Sequence, residues 1–283
     1  MNSTDQRKKN LFQDFSRIFY KLRAGISPKK VHRLRTTIRR IESFVDLSGS
    51  KLGHKHKEIL EELTDLRKRA GRVRNFDVQV RLLGSIANGS TISDRRILVQ
   101  IFKAKRERQS RRLSSMLKKL DKAELVGRLE KLIGKTNLPG NSLGPIDPLE
   151  RAKGQLLSLI AEVPGSEDLK PRRLHELRIS LKKIRYTIEL AEASAAREHL
   201  LETLKSVQDA IGEWHDWENL VKIAEKQFGD RVNCPLLVEM RALFTSKYSA
   251  ARSAAVSLRA SFAPSPKKQP RSTSSASRQA RLA

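Results

Sequence analysis

The sequence is short of several things that other functions need. It holds one cysteine, Cys234, in 283 residues, so no disulfide can form within the chain. Its six histidines are not grouped with cysteine at metal-ligand spacing, so no zinc-site pattern is present and no metal or other cofactor is implied. Aromatic residues make up 5 %, and strand formers are sparse beside Leu, Ala, Lys, Arg and Glu, a composition that points to helix throughout. No stretch reaches the roughly 18 apolar residues of a membrane-spanning helix. The opening MNSTDQRKKNLFQDF lacks the apolar run of a secretory signal. The expectation is a soluble, cytoplasmic protein with no membrane insertion.

Negative charge is scarce as well. Against 58 Lys and Arg stand 31 Asp and Glu, a net charge of +27 with a pI near 10.6. Charge this one-sided repels itself in a compact state. It calls for a polyanionic partner: nucleic acid, inorganic polyphosphate or an anionic membrane surface. No amphipathic stretch has the aromatic face of a membrane-surface helix. The apolar fraction of 38 % still suffices for a core in a chain of this length.

The chain divides near residues 134–148, GKTNLPGNSLGPIDP, where three glycines and three prolines cannot continue a helix. On either side the pattern predicts amphipathic helices near 8–23, 28–48, 55–86 and 92–132, then 149–163, 171–193, 197–227 and 235–261. The third helix of each half is expected to bend, at Gly71 and at Gly212. From Pro264 the chain reads PSPKKQPRSTSSASRQARLA, with five basic residues and no acidic one, so 263–283 is expected to be a disordered basic tail.

The two halves repeat each other. PKKVHRLRTTIRRI (28–41) matches PRRLHELRISLKKI (171–184) position by position, and GRVRNFDV (71–78) matches GEWHDWEN (212–219). Two motifs in the same order at nearly the same separation indicate a duplicated four-helix unit.

In the first motif Pro falls at the first helical position, where its missing N–H costs nothing, and Ser27 is placed as the N-cap of the first copy. At 100° per residue, His32, Arg35 and Arg39 form one stripe with Ser43 alongside, opposite Val31, Leu34, Ile38, Ile41 and Val45. In the second copy His175, Arg178, Lys182 and Tyr186 oppose Leu174, Leu177, Leu181, Ile184 and Ile188. Like charges four apart destabilise a helix. Lys29 and Lys30, then Arg172 and Arg173, stand at the positive end of the macrodipole. Both choices make sense if an anion sits at the stripes and at these helix ends. The stripe offers no metal-type partners and no orienting acid for a general base, so each histidine is placed as a hydrogen-bond donor to phosphate. Arg74 beside Asp77 reads mainly as a pair that staples the helix, and Gln208, Asp209, Asp216 and Glu218 read as holders of neighbouring Arg and Lys.

VHRLRTTIRRIESF and LHELRISLKKIRYTIEL, with VRNFDV and VQDAIGEWHDWENL, resemble the CHAD family, a histidine-marked α-helical domain. The resemblance covers roughly residues 8–262 and leaves out the tail. It implies an all-α fold of two pseudo-symmetric four-helix bundle halves, here about 8–133 and 149–262, with a strongly basic cavity between them. It implies binding of inorganic polyphosphate, association with polyphosphate granules, and a binding module rather than an enzyme. Carried over by position, the ligand-facing candidates are His32, Arg35, Arg39 and Arg40, then His175, Arg178, Lys182, Lys183, Arg185 and Tyr186; the helix-end argument adds Lys29, Lys30 and Arg172. Arg74, Lys105, Arg108, Arg111 and Arg112 follow as further candidates, the last four on a less regular stripe. The chain departs from the family where Arg74-Asn75 and His215-Asp216 replace an Arg-Asp pair.

The rival reading is a nucleic-acid-binding or nucleoid protein. Both partners predict salt-sensitive affinity. Single-stranded nucleic acid is gripped by aromatics interleaved with basic residues, whereas Phe12, Phe15 and Phe19 fall at apolar helix positions. Polyphosphate has dense charge and no bases, which suits Arg, Lys and His alone. Neighbouring cations are expected to depress the pKa of His32 and His175, so that affinity rises as pH falls through about 6–7.

Overall fold

The computed structural model describes residues 3–48, 53–86, 91–135, 147–165, 168–229 and 234–262. Among them are nine helices and no strand: α1 (Ser3–Arg23), α2 (Pro28–Ser48), α3 (His54–Gly84), α4 (Ile92–Lys119), α5 (Lys122–Lys135), α6 (Pro148–Ala161), α7 (Pro171–Glu189), α8 (Ala195–Phe228) and α9 (Pro235–Ser261). The glycine- and proline-rich core of the expected linker, 136–146, and the basic tail lie outside the described residues.

Local chemistry sets most of these ends. Asp147 accepts from the Leu149 N–H at 3.0 Å ahead of Pro148, and Ser194 Oγ accepts from the Arg197 N–H at 3.2 Å; both satisfy amides that the first helical turn leaves unpaired. Ser27 stands before α2 as expected, with the Lys30 N–H donating to its Oγ at a long 3.5 Å. α3 and α8 run unbroken through Gly71 and Gly212.

The single helix expected over 92–132 is two. Leu120 turns extended, with φ −70° and ψ 123°, and Asp121 Oδ1 accepts from the Glu124 N–H at 2.9 Å. Asp121-Lys-Ala-Glu124 is therefore an N-terminal capping sequence. The break folds α5 back, so that Leu125, Leu129, Leu132 and Ile133 join the same apolar cluster as α1 and α2. Among the described residues the first half thus has five helices against four in the second.

Three apolar clusters hold the chain. One gathers α1, α2, most of α3, the end of α4 and α5, around Phe15, Phe19 and Phe44. A second gathers α6 to α9 around Trp214. The third belongs to both halves: Leu83, Leu98 and Phe102 from α3 and α4 meet Trp217, Leu220, Leu236 and Met240 from α8 and α9. Burial of this shared cluster ties one end of the halves together. Elsewhere they meet through α2 against α7 and α3 against α8, the helices that carry the repeated motifs.

Candidate functional site

The apolar stripes of the motif helices are buried as the periodicity requires: Val31, Leu34, Ile38 and Ile41 on α2, and Leu174, Leu177, Leu181 and Ile184 on α7. With those faces turned into their own halves and α2 lying against α7, the cationic stripes converge. The Arg39 guanidinium carbon is 5.9 Å from the centre of the Tyr186 ring, a cation–π contact from one motif helix to the other.

α3 and α8 complete this seam. Arg35 lies over the α3 backbone at Gly71, where a methyl group would stand 3.6 Å from its Nε, close contact but no clash. That Nε is buried and has no hydrogen-bond partner, and the same holds for Arg178 Nε. Burial lowers the Arg35 pKa to about 10, with Arg39, Arg74 and Arg67 adding repulsion; it stays charged at neutral pH. Arg178 is likewise lowered by burial, with Asp216 opposing the shift. Lys182 is the most affected cation: burial brings it down to about 7, and Arg178, Arg39 and Arg35 push the same way against Asp216. A lysine in water holds its proton to about pH 10.

The histidines pair across helices. His32 is lowered by burial and then by Arg74, Arg35 and Lys182. In the second half the His175 and His215 rings are 5.1 Å apart. Asn219 Nδ2 lies 3.1 Å from His215 Nε2 and donates to the His215 carbonyl at 2.8 Å, while Nδ1 faces Glu218 at 3.5 Å. Burial, Arg178 and His175 all keep His215 neutral to well below the usual histidine range. Beside Glu218, a second carboxylate, Asp216, reaches this cluster. Burial raises its pKa in spite of Arg178, Lys182, Arg81 and Arg74.

Several candidates find partners elsewhere. Lys30 Nζ donates to the carbonyls of Lys21 and Gly25 at 2.8 and 2.9 Å, so it caps the end of α1. Arg40 and Arg185 share Glu189, at 2.7 and 3.1 Å, and Arg185 also donates to Gln208 Oε1. Arg172 pairs with Glu176, and Arg173 with Glu176 and Glu162. These groups supply the counter-charges that the sequence reading left to a ligand at the helix ends. Lys183 is exposed and lines the groove between α6 and α7. Lys29, Lys105 and Arg108 are exposed, and Arg112 lines a groove between α3 and α4.

The pairing of Arg74 with Asp77 is corrected. Asp77 accepts from Arg106 Nε at 2.6 Å, between α3 and α4, and Arg74 acts on His32 and Asp216 instead. Residues three apart on a helix are neighbours, but the Arg106 guanidinium on α4 competes for the Asp77 carboxylate and takes it. His215 is the seam residue that sequence reasoning passed over as a candidate, while Asp216, expected to hold neighbouring Arg and Lys, faces Arg178 and Lys182. Their signal was in the repeat: His215 occupies the place of Arg74, and Asp216 that of Asn75.

A family model described as "CHAD domain" matches residues 11–223. Two solved structures share the fold. The crystal structure of the CHAD domain from the plant Ricinus communis is 18 % identical, with a TM-score of 0.62, over 88 % of this chain and 89 % of that one. PptA from Streptomyces chartreusis is 15 % identical, with a TM-score of 0.68, over 92 % of this chain and 98 % of that one. No curated protein matches the sequence significantly.

Proposed function

This chain belongs to the CHAD domain family, and from that premise we propose that it binds inorganic polyphosphate in the seam between α2, α3, α7 and α8. The observation that carries the reading is the state of Arg35, Arg178 and Lys182. Two have a buried Nε without a partner, the third is lowered to about 7, and Asp216 offsets Arg178 and Lys182 but not Arg35. Buried cations without counter-charges are costly to hold. A string of phosphates would supply the missing charge and accept from the idle N–H groups. His32, His175 and Arg39 extend the donors along the strand, and Arg74 adds charge behind His32. The basic cavity of the family is this seam with the anion in place.

The proposed role is binding without catalysis, with residues 8–262 as the binding unit and the tail at 263–283 as an accessory. Localisation on cytoplasmic polyphosphate granules follows from the same ligand. The described helices include none long and apolar enough to cross a membrane, so the proposal needs no membrane partner. Nucleic acid is the competing polyanion. Against it, the ring in the seam is Tyr186, already under Arg39, which leaves no row of aromatics for bases to stack on.

The test is competition. Labelled long-chain polyphosphate bound to the full chain should survive excess single- and double-stranded DNA and RNA. Equal displacement by nucleic acid would reassign the seam to a nucleic-acid backbone.

A further inference from the structure

α3 is cationic on two opposite faces. With Arg74 at 0° and 100° per residue, Arg67 and Arg81 fall within about 20° of it and Gly71 within about 60°. That is the face over which Arg35 lies. On the same wheel Lys68, Arg72, Asp65 and Arg69 fall at about 120° to 220°. They line a groove with Arg112, Ser115 and Lys119 of α4, which follow one another at i, i+3 and i+7 on one face. Five cations meet one carboxylate there, and that one, Asp65, is 3.5 Å from Lys68. Arg69, Arg72, Arg112 and Lys119 have no acidic partner among the described residues. At Lys119 and Leu120 this groove meets a second one that adds Arg23, Lys118 and one carboxylate, Asp121, around the break between α4 and α5.

An ordinary solvated helix face intersperses signs at i,i+4, as Arg111 and Glu107 do one turn away. The outer groove does not, although acidic residues stand nearby on both helices. Its cations are exposed, and it lies a helix diameter of about 10 Å from the seam, with the body of α3 between. A phosphate chain in the seam therefore leaves the groove free.

We propose that the groove between α3 and α4 is a second polyanion site, so that one protein molecule holds two phosphate chains and cross-links them. This rests on the polyphosphate reading of the seam for the chemistry of the ligand, though not for the existence of the groove. Two weakly coupled sites on one rigid body convert binding into network formation once each phosphate chain is long enough to meet several proteins. The exposed site is also the more readily screened by salt.

The experiment compares the full chain with two variants, Arg69→Glu/Arg72→Glu/Arg112→Glu in the groove and Arg35→Glu/Arg178→Glu in the seam, all shown to melt cooperatively. Calorimetry with tripolyphosphate, too short to bridge proteins, should count two sites in the wild type and one in each variant. Raising salt should remove the groove site first. With long-chain polyphosphate, light scattering from the wild type should exceed that of the groove variant by about tenfold, although the groove variant retains the seam's affinity. A groove variant that still binds two equivalents and scatters like the wild type overturns the second site. A seam variant that loses nothing while the groove variant loses all binding overturns the seam reading and leaves the groove standing. Absence of binding by the wild type overturns both.

Discussion

The rings of His175 and His215 lie 5.1 Å apart between α7 and α8, and the repeat places His32 and Arg74 at the equivalent positions of the first half. Arg74 acts on His32 there. One contact is thus written as His–Arg in one half and His–His in the other. The first copy carries a fixed charge, and the second adds charge only on protonation. His215→Arg should make the second copy permanently cationic. Polyphosphate affinity at pH 8 should rise by about 1 kcal/mol, roughly fivefold, while the free protein melts at a lower temperature. Equal affinity of the two proteins at pH 8 would detach His215 from the ligand's field.

Lys182 should take up a proton when polyphosphate binds. Its pKa in the free protein is about 7, and a neighbouring polyanion raises it again. Between pH 7 and the raised value, binding then captures up to one proton at this site, and affinity falls as pH rises through that window. His32 works in the same direction below its ordinary value. Calorimetry at pH 8 in buffers of different ionisation enthalpy measures the uptake, which Lys182→Met should remove. Uptake that persists in the variant would assign the proton elsewhere.

The same shift has the opposite consequence for the free protein. A cation lowered in the folded state binds more protons when unfolded, so stability due to Lys182 rises with pH from about 7 toward 10. Thermal melts of the ligand-free protein should show this rise, and Lys182→Met should flatten it. A melting temperature that falls over that range in the wild type but not in Lys182→Met contradicts the shift.

Glu189 ties the halves at the side of the seam by accepting from Arg40 of α2 and Arg185 of α7. Glu189 is 13 % exposed, its partners about 40 %, so solvent screens part of the attraction. Glu189→Gln should cost about 1–2 kcal/mol in denaturant unfolding. No change in the midpoint would mean that the two arginines find equal partners without it.

The shared apolar cluster gives a larger effect. Phe102 is fully buried between α4 and the α8–α9 pair, and Phe102→Ala should cost about 3–5 kcal/mol. A loss under about 1 kcal/mol would show that the halves do not depend on that end.

The features legible in the sequence are those that a single helix writes for itself. The stripes of α2 and α7 follow from periodicity, and their duplication marks them as partners. Asp121-Lys-Ala-Glu124 was also in plain view, but the apolar spacing of α4 runs smoothly toward Leu125 and hides the turn at Leu120. What periodicity does not carry is the partner from another element. Nothing within the α2 motif says that Arg40 meets Glu189, 149 residues away, while Arg35, five positions earlier, keeps a buried Nε with no acceptor. Asp77 turning to Arg106 is the same case. The repeat came closest to supplying such information, since it pointed at His215 and Asp216 through their copies in the first half.

The most direct measurement is the affinity of the full chain for long-chain polyphosphate before and after reversing the two cations with idle buried Nε groups, Arg35→Glu/Arg178→Glu, in the presence of excess DNA. The account predicts DNA-resistant binding by the wild type and loss of the high-affinity, seam component in a variant that still melts cooperatively. Unchanged high-affinity binding by a folded variant would contradict it.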